Sequence, residues 1–148
     1  MSLAISSSGL RKAFGDLVAV DGIDLAVPRG SFYGFLGPNG AGKSTTIKCL
    51  TGLLRPTGGT FRILDIDPLA DPVAVKRRIG VMPEDLALFD RLTGAETLAF
   101  VGQVHGLGRA AVKERSTELL TLMDLTAGRR DLVGDFSHGM RKKNAVAS

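Results

Sequence analysis

Apolar residues along this chain first alternate, then run together, then recur at helical spacing, and each regime predicts a different kind of element. Leu3 and Ile5, then Leu17, Val18, Val20, Ile23, Leu25 and Val27, are β-rich and partly alternating. Gly9, Gly15, Gly22 and the Pro28-Arg29-Gly30 turn punctuate them, which predicts short antiparallel strands. Ser31-Phe-Tyr-Gly-Phe-Leu36 is nearly all apolar, as in a strand buried on both faces of a parallel sheet. From Lys43 to Leu54, Ile47, Leu50 and Leu54 fall at helical spacing ahead of a Gly58-Gly59 turn, so a helix is expected there. Thr60 to Leu64 reads as a strand, Asp71 to Arg78 as a short helix, and Ile79 to Met82 as a strand stopped by Pro83.

After Glu84 the period changes. Thr93 to Val104 and Ala110 to Met123 carry apolar residues at three and four spacing, joined by the Gly106-Leu-Gly108 turn. Ser137 stands where an N-cap would open a last helix. The expected organisation is therefore a β-region with a mixed core over residues 1–84 and a helical subdomain over residues 85–148, with no internal repeat. His105, just before Gly106, has no metal-ligand companion at useful spacing and reads as a helix C-terminal residue.

Composition changes this picture in two places. Nineteen of the 148 residues are glycine, well above the usual share of about 7%, so many turns or a close backbone approach to a ligand are expected. The net charge is +4, with basic groups at Arg11-Lys12, Lys76-Arg77-Arg78, Arg129-Arg130 and Arg141-Lys142-Lys143. These read as a nucleic-acid or membrane footprint or, more commonly, as solvated faces. With 44% apolar and 23% charged residues, a disordered or fibrous chain is excluded. The lone Cys49 lies in an apolar stretch and fits a small buried core residue in a reducing compartment. No run reaches the roughly 18 apolar residues of a membrane helix.

The chemistry is concentrated in Gly37-Pro38-Asn39-Gly40-Ala41-Gly42-Lys43-Ser44-Thr45. It satisfies G-x-x-x-x-G-K-[ST], with an expected strand before it and an expected helix after it. Glycines at 37, 40 and 42 let the backbone curl so that successive N–H groups point inward, and the positive end of the following helix adds to the attraction for phosphate. Lys43 is placed to reach the β- and γ-phosphates, and Ser44 to offer a hydroxyl to magnesium. Thr45 is placed to reach the α-phosphate. The pattern implies Mg-ATP as the ligand.

With this motif the chain resembles the nucleotide-binding domain of an ABC transporter, from near residue 3 to its end. The resemblance implies an α/β P-loop NTPase fold of the ABC type, with a parallel core sheet, an N-terminal antiparallel β-region and an α-helical subdomain. It places Phe14 where the family carries an aromatic that stacks on adenine, although an isolated phenylalanine is more often core. It places Glu84, in Ile79-Gly-Val-Met-Pro-Glu84, where the family usually has a glutamine that touches magnesium or the attacking water. A carboxylate there can still ligate magnesium but cannot donate as an amide does. Phe136-Ser137-His138-Gly139-Met140 resembles the family signature, usually Leu-Ser-Gly-Gly-Gln, which meets the γ-phosphate held by a second subunit. By this resemblance Lys43 and Glu84 are the catalytic candidates, Ser44 and Glu84 the magnesium ligands, and Ser137, His138, Gly139 and Met140 the contacts made in trans.

The resemblance further implies an exporter-type ATPase subunit, peripheral on the cytoplasmic face of the cell membrane. Its implied partners are a transmembrane permease subunit and a second ATP-binding subunit, with no nucleic acid. Family domains continue to an apolar strand ending in an aspartate and a catalytic glutamate, and then to a switch histidine. The sequence stops at Ser148, before that Walker B strand, so the expectation is a partial domain, deficient in hydrolysis, with unpaired sheet edges. A non-hydrolysing ATP-binding module is the alternative reading. A soluble ABC protein acting on ribosomes or DNA would use the basic charge but usually carries paired domains. A P-loop GTPase would show an Asn-Lys-x-Asp, and none is present.

Overall fold

The computed structural model describes residues 2–82, 86, 88–126 and 130–148. Glu84 and Pro83 lie outside the described residues. The chain divides into two compact units, Met1–Val81 and Met82–Ser148.

In the first unit, alternation produces a long hairpin. Strands β1 (Leu3–Phe14) and β2 (Leu17–Pro28) pair antiparallel, from Leu3 against Pro28 to Phe14 against Leu17. Strand β3 (Gly58–Ile63) takes the other edge of β1, also antiparallel, so the order is β2-β1-β3. Side chains of alternate residues point to one face of a strand. Leu10, Leu25, Phe61 and Ile63 accordingly form a core with Cys49 and Leu50 of helix α1 (Lys43–Leu50) and Val75 of helix α2 (Pro72–Lys76). Asp71 caps α2 by accepting from the Ala74 N–H at 2.9 Å. Burial in this apolar core pushes the Cys49 thiol pKa up, opposed by the nearby Lys12 charge, so Cys49 is a packing residue.

Two expected strands are not there. Ser31–Leu36 and Ile79–Met82 adopt no regular structure, and the parallel core sheet expected from them is not formed among the described residues. The expected burial fails together with the pairing, because an apolar run becomes a buried strand only where neighbouring strands close its ladder and cover its faces. Phe35 and Ile79 do pack against the core. Phe32 and Leu36 face solvent, at 108% and 94% exposure, and neither run pairs with a strand among the described residues. Helix α1 also stops at Leu50 rather than Leu54. Thr51 and a left-handed Gly52 (φ 73°) end it, and the Leu53 and Leu54 N–H groups both fall on the Lys48 carbonyl.

The second unit is helical. Helix α3 (Gly94–Val104) begins in a capping box: Thr93 Oγ1 accepts from the Glu96 N–H at 3.2 Å, and the Glu96 carboxylate accepts from the Thr93 N–H at 2.8 Å. His105 is its C-cap, and a left-handed Gly106 (φ 80°) turns the chain into helix α4 (Arg109–Leu122). A single 3-10 turn, Val133–Asp135, leads to helix α5 (His138–Ala147). Leu98, Leu120, Leu125 and Ala147 form the core, with Met123 and Met140 packed on it.

The bonds from Thr93, first backbone and then hydroxyl, hold the Glu96 carboxyl below the usual carboxylate range. A lowered folded-state pKa gives stability that is present above the unfolded value, ~4.3 for glutamate, and is lost as pH falls through the folded value. Unfolding midpoints measured between pH 3 and 6 should therefore fall less steeply with acid in Glu96→Gln than in the wild type. Parallel acid limbs would refute the assignment.

Asn144 is fully buried, and neither side-chain amide atom has a partner among the described residues. Its Oδ1 lies beside Gly94 and Phe136 crowds the same place. An unpaired buried amide costs roughly 1–3 kcal/mol. Asn144→Leu, which is near in volume, should raise the melting temperature by several degrees, about 4–8 °C per kcal/mol for a unit of this size. An unchanged or lower melting temperature in a thermal scan would show that the amide is satisfied.

Candidate phosphate-binding site

The glycine-rich segment folds into a loop that delivers the chain to the start of α1. Ala41 N–H donates to the Pro38 carbonyl at 3.2 Å, closing a tight turn. Gly40 (φ 84°) and Gly42 (φ 81°) both take the left-handed conformation that side-chain-bearing residues rarely adopt. Gly42 is also pressed against β2: a Cβ there would overlap the Ala19 carbonyl oxygen and stand 3.3 Å from Val20 Cγ2. Thr46 anchors the other side, fully buried, its N–H and hydroxyl donating to the Gly42 carbonyl at 2.8 and 2.9 Å.

That bond is the first of the helix, so the N–H groups of Lys43, Ser44 and Thr45 have no partner within it. Gly42, as N-cap, supplies no side-chain acceptor. The helix therefore begins with uncapped donors at its positive end, an arrangement that suits an anion. Lys43 folds back so that its ammonium donates to the Gly37 and Pro38 carbonyls, at 2.6 Å each, holding a full positive charge over the loop. Ser44 is exposed on the first helical turn and Thr45 half-buried.

The donors fit magnesium bound together with phosphate better than magnesium alone. Among the described residues no group of three acidic, histidine or cysteine side chains could hold a metal. The exposed Ser44 hydroxyl beside the uncapped start of α1 matches the habit of Mg²⁺, which takes one or two protein ligands and fills its octahedron with phosphate oxygens and water.

Phe14 ends β1 in the same unit, 47% exposed. It lies on the hairpin that backs the loop: β2, whose Ala19 carbonyl a Cβ at Gly42 would strike, pairs with β1 through Val20 and Lys12 and through Leu17 and Phe14. Motif reading missed Lys12, whose ammonium stands 4.7 Å from the Phe14 ring centroid. The signal available was its i,i+2 spacing from Phe14 on a strand.

In the second unit, Ser137 is the N-cap of α5, its hydroxyl accepting from the Met140 N–H at 3.2 Å. Ser137, His138 and Gly139 are exposed, whereas the Met140 side chain packs against the Leu98 and Leu120 core. Buried Phe136 fixes the entry to the helix. Arg141, also unanticipated, clamps the first turn: it bonds the Asp90 carboxylate at 2.8 Å and the Val133 carbonyl at 3.2 Å. Gly134 N–H adds a bond to the Asp90 carbonyl at 3.0 Å. Among the described residues no helix is long and apolar enough to cross a membrane.

A sequence model described as ABC transporter matches residues 20–148. The chain is 45% identical, over 98% of its length, to the daunorubicin/doxorubicin resistance ATP-binding protein DrrA of Streptomyces peucetius. It is 34% identical, over 94% of its length, to the linearmycin resistance ATP-binding protein LnrL of Bacillus subtilis. It spans 44% and 45% of the length of those two relatives. Among solved structures, an ATP-binding subunit of an ABC transporter superposes with a TM-score of 0.84 at 29% identity, covering 99% of this chain and 60% of that one.

Proposed function

The chain belongs to the ABC transporter family, and from that premise we propose that its Gly37–Thr45 loop binds the triphosphate of Mg-ATP. The observation that carries this reading is the uncapped N-terminus of α1, lying behind two left-handed glycines with the Lys43 ammonium folded over the loop. In the proposed complex the inward N–H groups and Lys43 hold the β- and γ-phosphates, and Thr45 holds the α-phosphate. Ser44, with Glu84 proposed from its place in the sequence alone, holds the metal. When bound, magnesium neutralises charge that develops on the phosphate oxygens. Phe14 supplies a π-face for adenine.

The whole subunit is proposed to be a transport-coupled ATPase peripheral to the cytoplasmic face of a membrane, working with a permease and a second ATP-binding subunit. Ser137, His138 and Gly139 would then present the α5 N-terminus to the nucleotide of that second subunit. An exporter of antibiotic-like compounds is proposed because the relatives are named for resistance to such compounds.

The test is equilibrium binding of Mg-ATP to the 148-residue chain, with phosphate release followed on the same samples. Saturable binding is expected. A folded chain that does not bind Mg-ATP would refute the proposal. Phosphate release at saturation would show that this chain also turns ATP over, and its absence would assign the chain to binding alone.

A further inference from the structure

We propose that Lys12 is a positioning residue for the adenine base: its ammonium backs one face of the Phe14 ring and leaves the other face to the base. The inference rests on the reading of Phe14 as the adenine platform. Strand β1 places Lys12 and Phe14 two residues apart, hence on the same side. Lys12 Nζ lies 4.7 Å from the ring centroid, within cation–π range, and donates at the same time to the Arg55 carbonyl at 2.9 Å. That bond anchors the flexible lysine stem. The segment carrying Arg55 is itself tied to β1, since Thr57 N–H donates to the Arg11 carbonyl at 2.8 Å and Ala13 N–H donates to Thr57 Oγ1 at 3.0 Å.

Cation, ring and anchor thus share one hydrogen-bonded frame, and β2, paired with it at Val20 and Lys12, leaves no room for a Cβ at Gly42 of the loop. The ammonium does two things for the ring. It restricts the orientations of a side chain that is nearly half exposed, which lowers the ordering cost of a stacked base. It also draws π density toward the backed face, easing the repulsion between π clouds that disfavours face-to-face stacking on the other.

The test compares Mg-ATP with magnesium tripolyphosphate, which carries the phosphates but no base, on the full chain. The variants are Lys12→Met, Lys12→Arg, Phe14→Leu and the double variant Lys12→Met/Phe14→Leu. Lys12→Met should weaken Mg-ATP binding roughly two- to five-fold and leave tripolyphosphate binding unchanged. Lys12→Arg should retain wild-type affinity, and Lys12→Met should add nothing in the Phe14→Leu background. Should Lys12→Met melt early, Lys12→Gln serves in its place. Equal losses for both ligands would reduce Lys12 to a general charge and overturn the proposal, as would unchanged or tighter Mg-ATP binding in Lys12→Met while Phe14→Leu binds weakly. If Phe14→Leu alone leaves Mg-ATP binding unchanged, the platform reading fails and takes the proposal with it.

Discussion

Replacing Lys43 by alanine is expected to weaken Mg-ATP binding by roughly 10- to 100-fold while leaving the melting temperature nearly unchanged. The two effects separate because of where the ammonium sits. Among the described residues it bonds only the Gly37 and Pro38 carbonyls, both on an exposed loop. Water can replace it there, so little folding stability is lost. With nucleotide bound, the same ammonium would face phosphate oxygens, and charge-assisted bonds of that kind contribute roughly 1.5–3 kcal/mol. Lys43→Arg keeps the charge but not the compact point geometry, so an intermediate loss is expected. Calorimetric titration with Mg-ATP beside a thermal scan of the same proteins checks both halves. Wild-type affinity in a folded Lys43→Ala protein would remove Lys43 from the site and leave the proposed function without its central cation.

The parts of the fold that could be read from the sequence are those with local causes. Ser137 forms its expected N-cap bond, because the signal and its structure lie within one helical turn, and the Thr93–Glu96 capping box, which went unread, has the same local origin. The β1–β2 hairpin follows from alternation, which specifies both strand and face. Ser31–Leu36 shows the opposite case. Of its apolar run only Phe35 packs on the core, because burial and pairing both depend on neighbours that no local pattern names.

The same division holds at the site. The backbone of the Gly37–Thr45 loop was legible because residue type and spacing dictate it, and Gly40 and Gly42 take the left-handed conformation. Lys12 and Phe14 met only once β1 was known to be a strand. Asn144 was overlooked although it stands four residues after Met140 and three before Ala147, on the core-facing stripe of α5. Its polar character masked a position that periodicity marks as buried. Arg141 read as part of a basic triplet, whereas its partner Asp90 is distant in sequence and set by the tertiary fold.

Gly42→Ala and Gly40→Ala should differ sharply, although the two glycines have nearly the same backbone, φ 81° and 84°. Both alanines would carry the intrinsic cost of a left-handed residue, roughly 1–2 kcal/mol. At Gly40 nothing lies within 4 Å of the new Cβ, so that strain is the whole penalty. Gly40→Ala should fold and bind Mg-ATP with a loss of roughly 10-fold. At Gly42 the new Cβ meets the Ala19 carbonyl oxygen, a backbone atom held in β2, with Val20 Cγ2 at 3.3 Å behind it. Neither can yield without disturbing the hairpin pairing of Val20 with Lys12. The loop must move instead, and it carries with it the start of α1, where Thr46 closes the first helical bond on the Gly42 carbonyl. The uncapped N–H groups proposed to hold phosphate then move with it. Gly42→Ala should therefore lose at least about 100-fold in Mg-ATP affinity, since several charge-assisted bonds are displaced together. It should also melt well below Gly40→Ala. Calorimetric titration and thermal scans on the pair decide the matter, and equal behaviour of the two variants would mean that the contact between Gly42 and β2 does not hold the loop in its binding conformation.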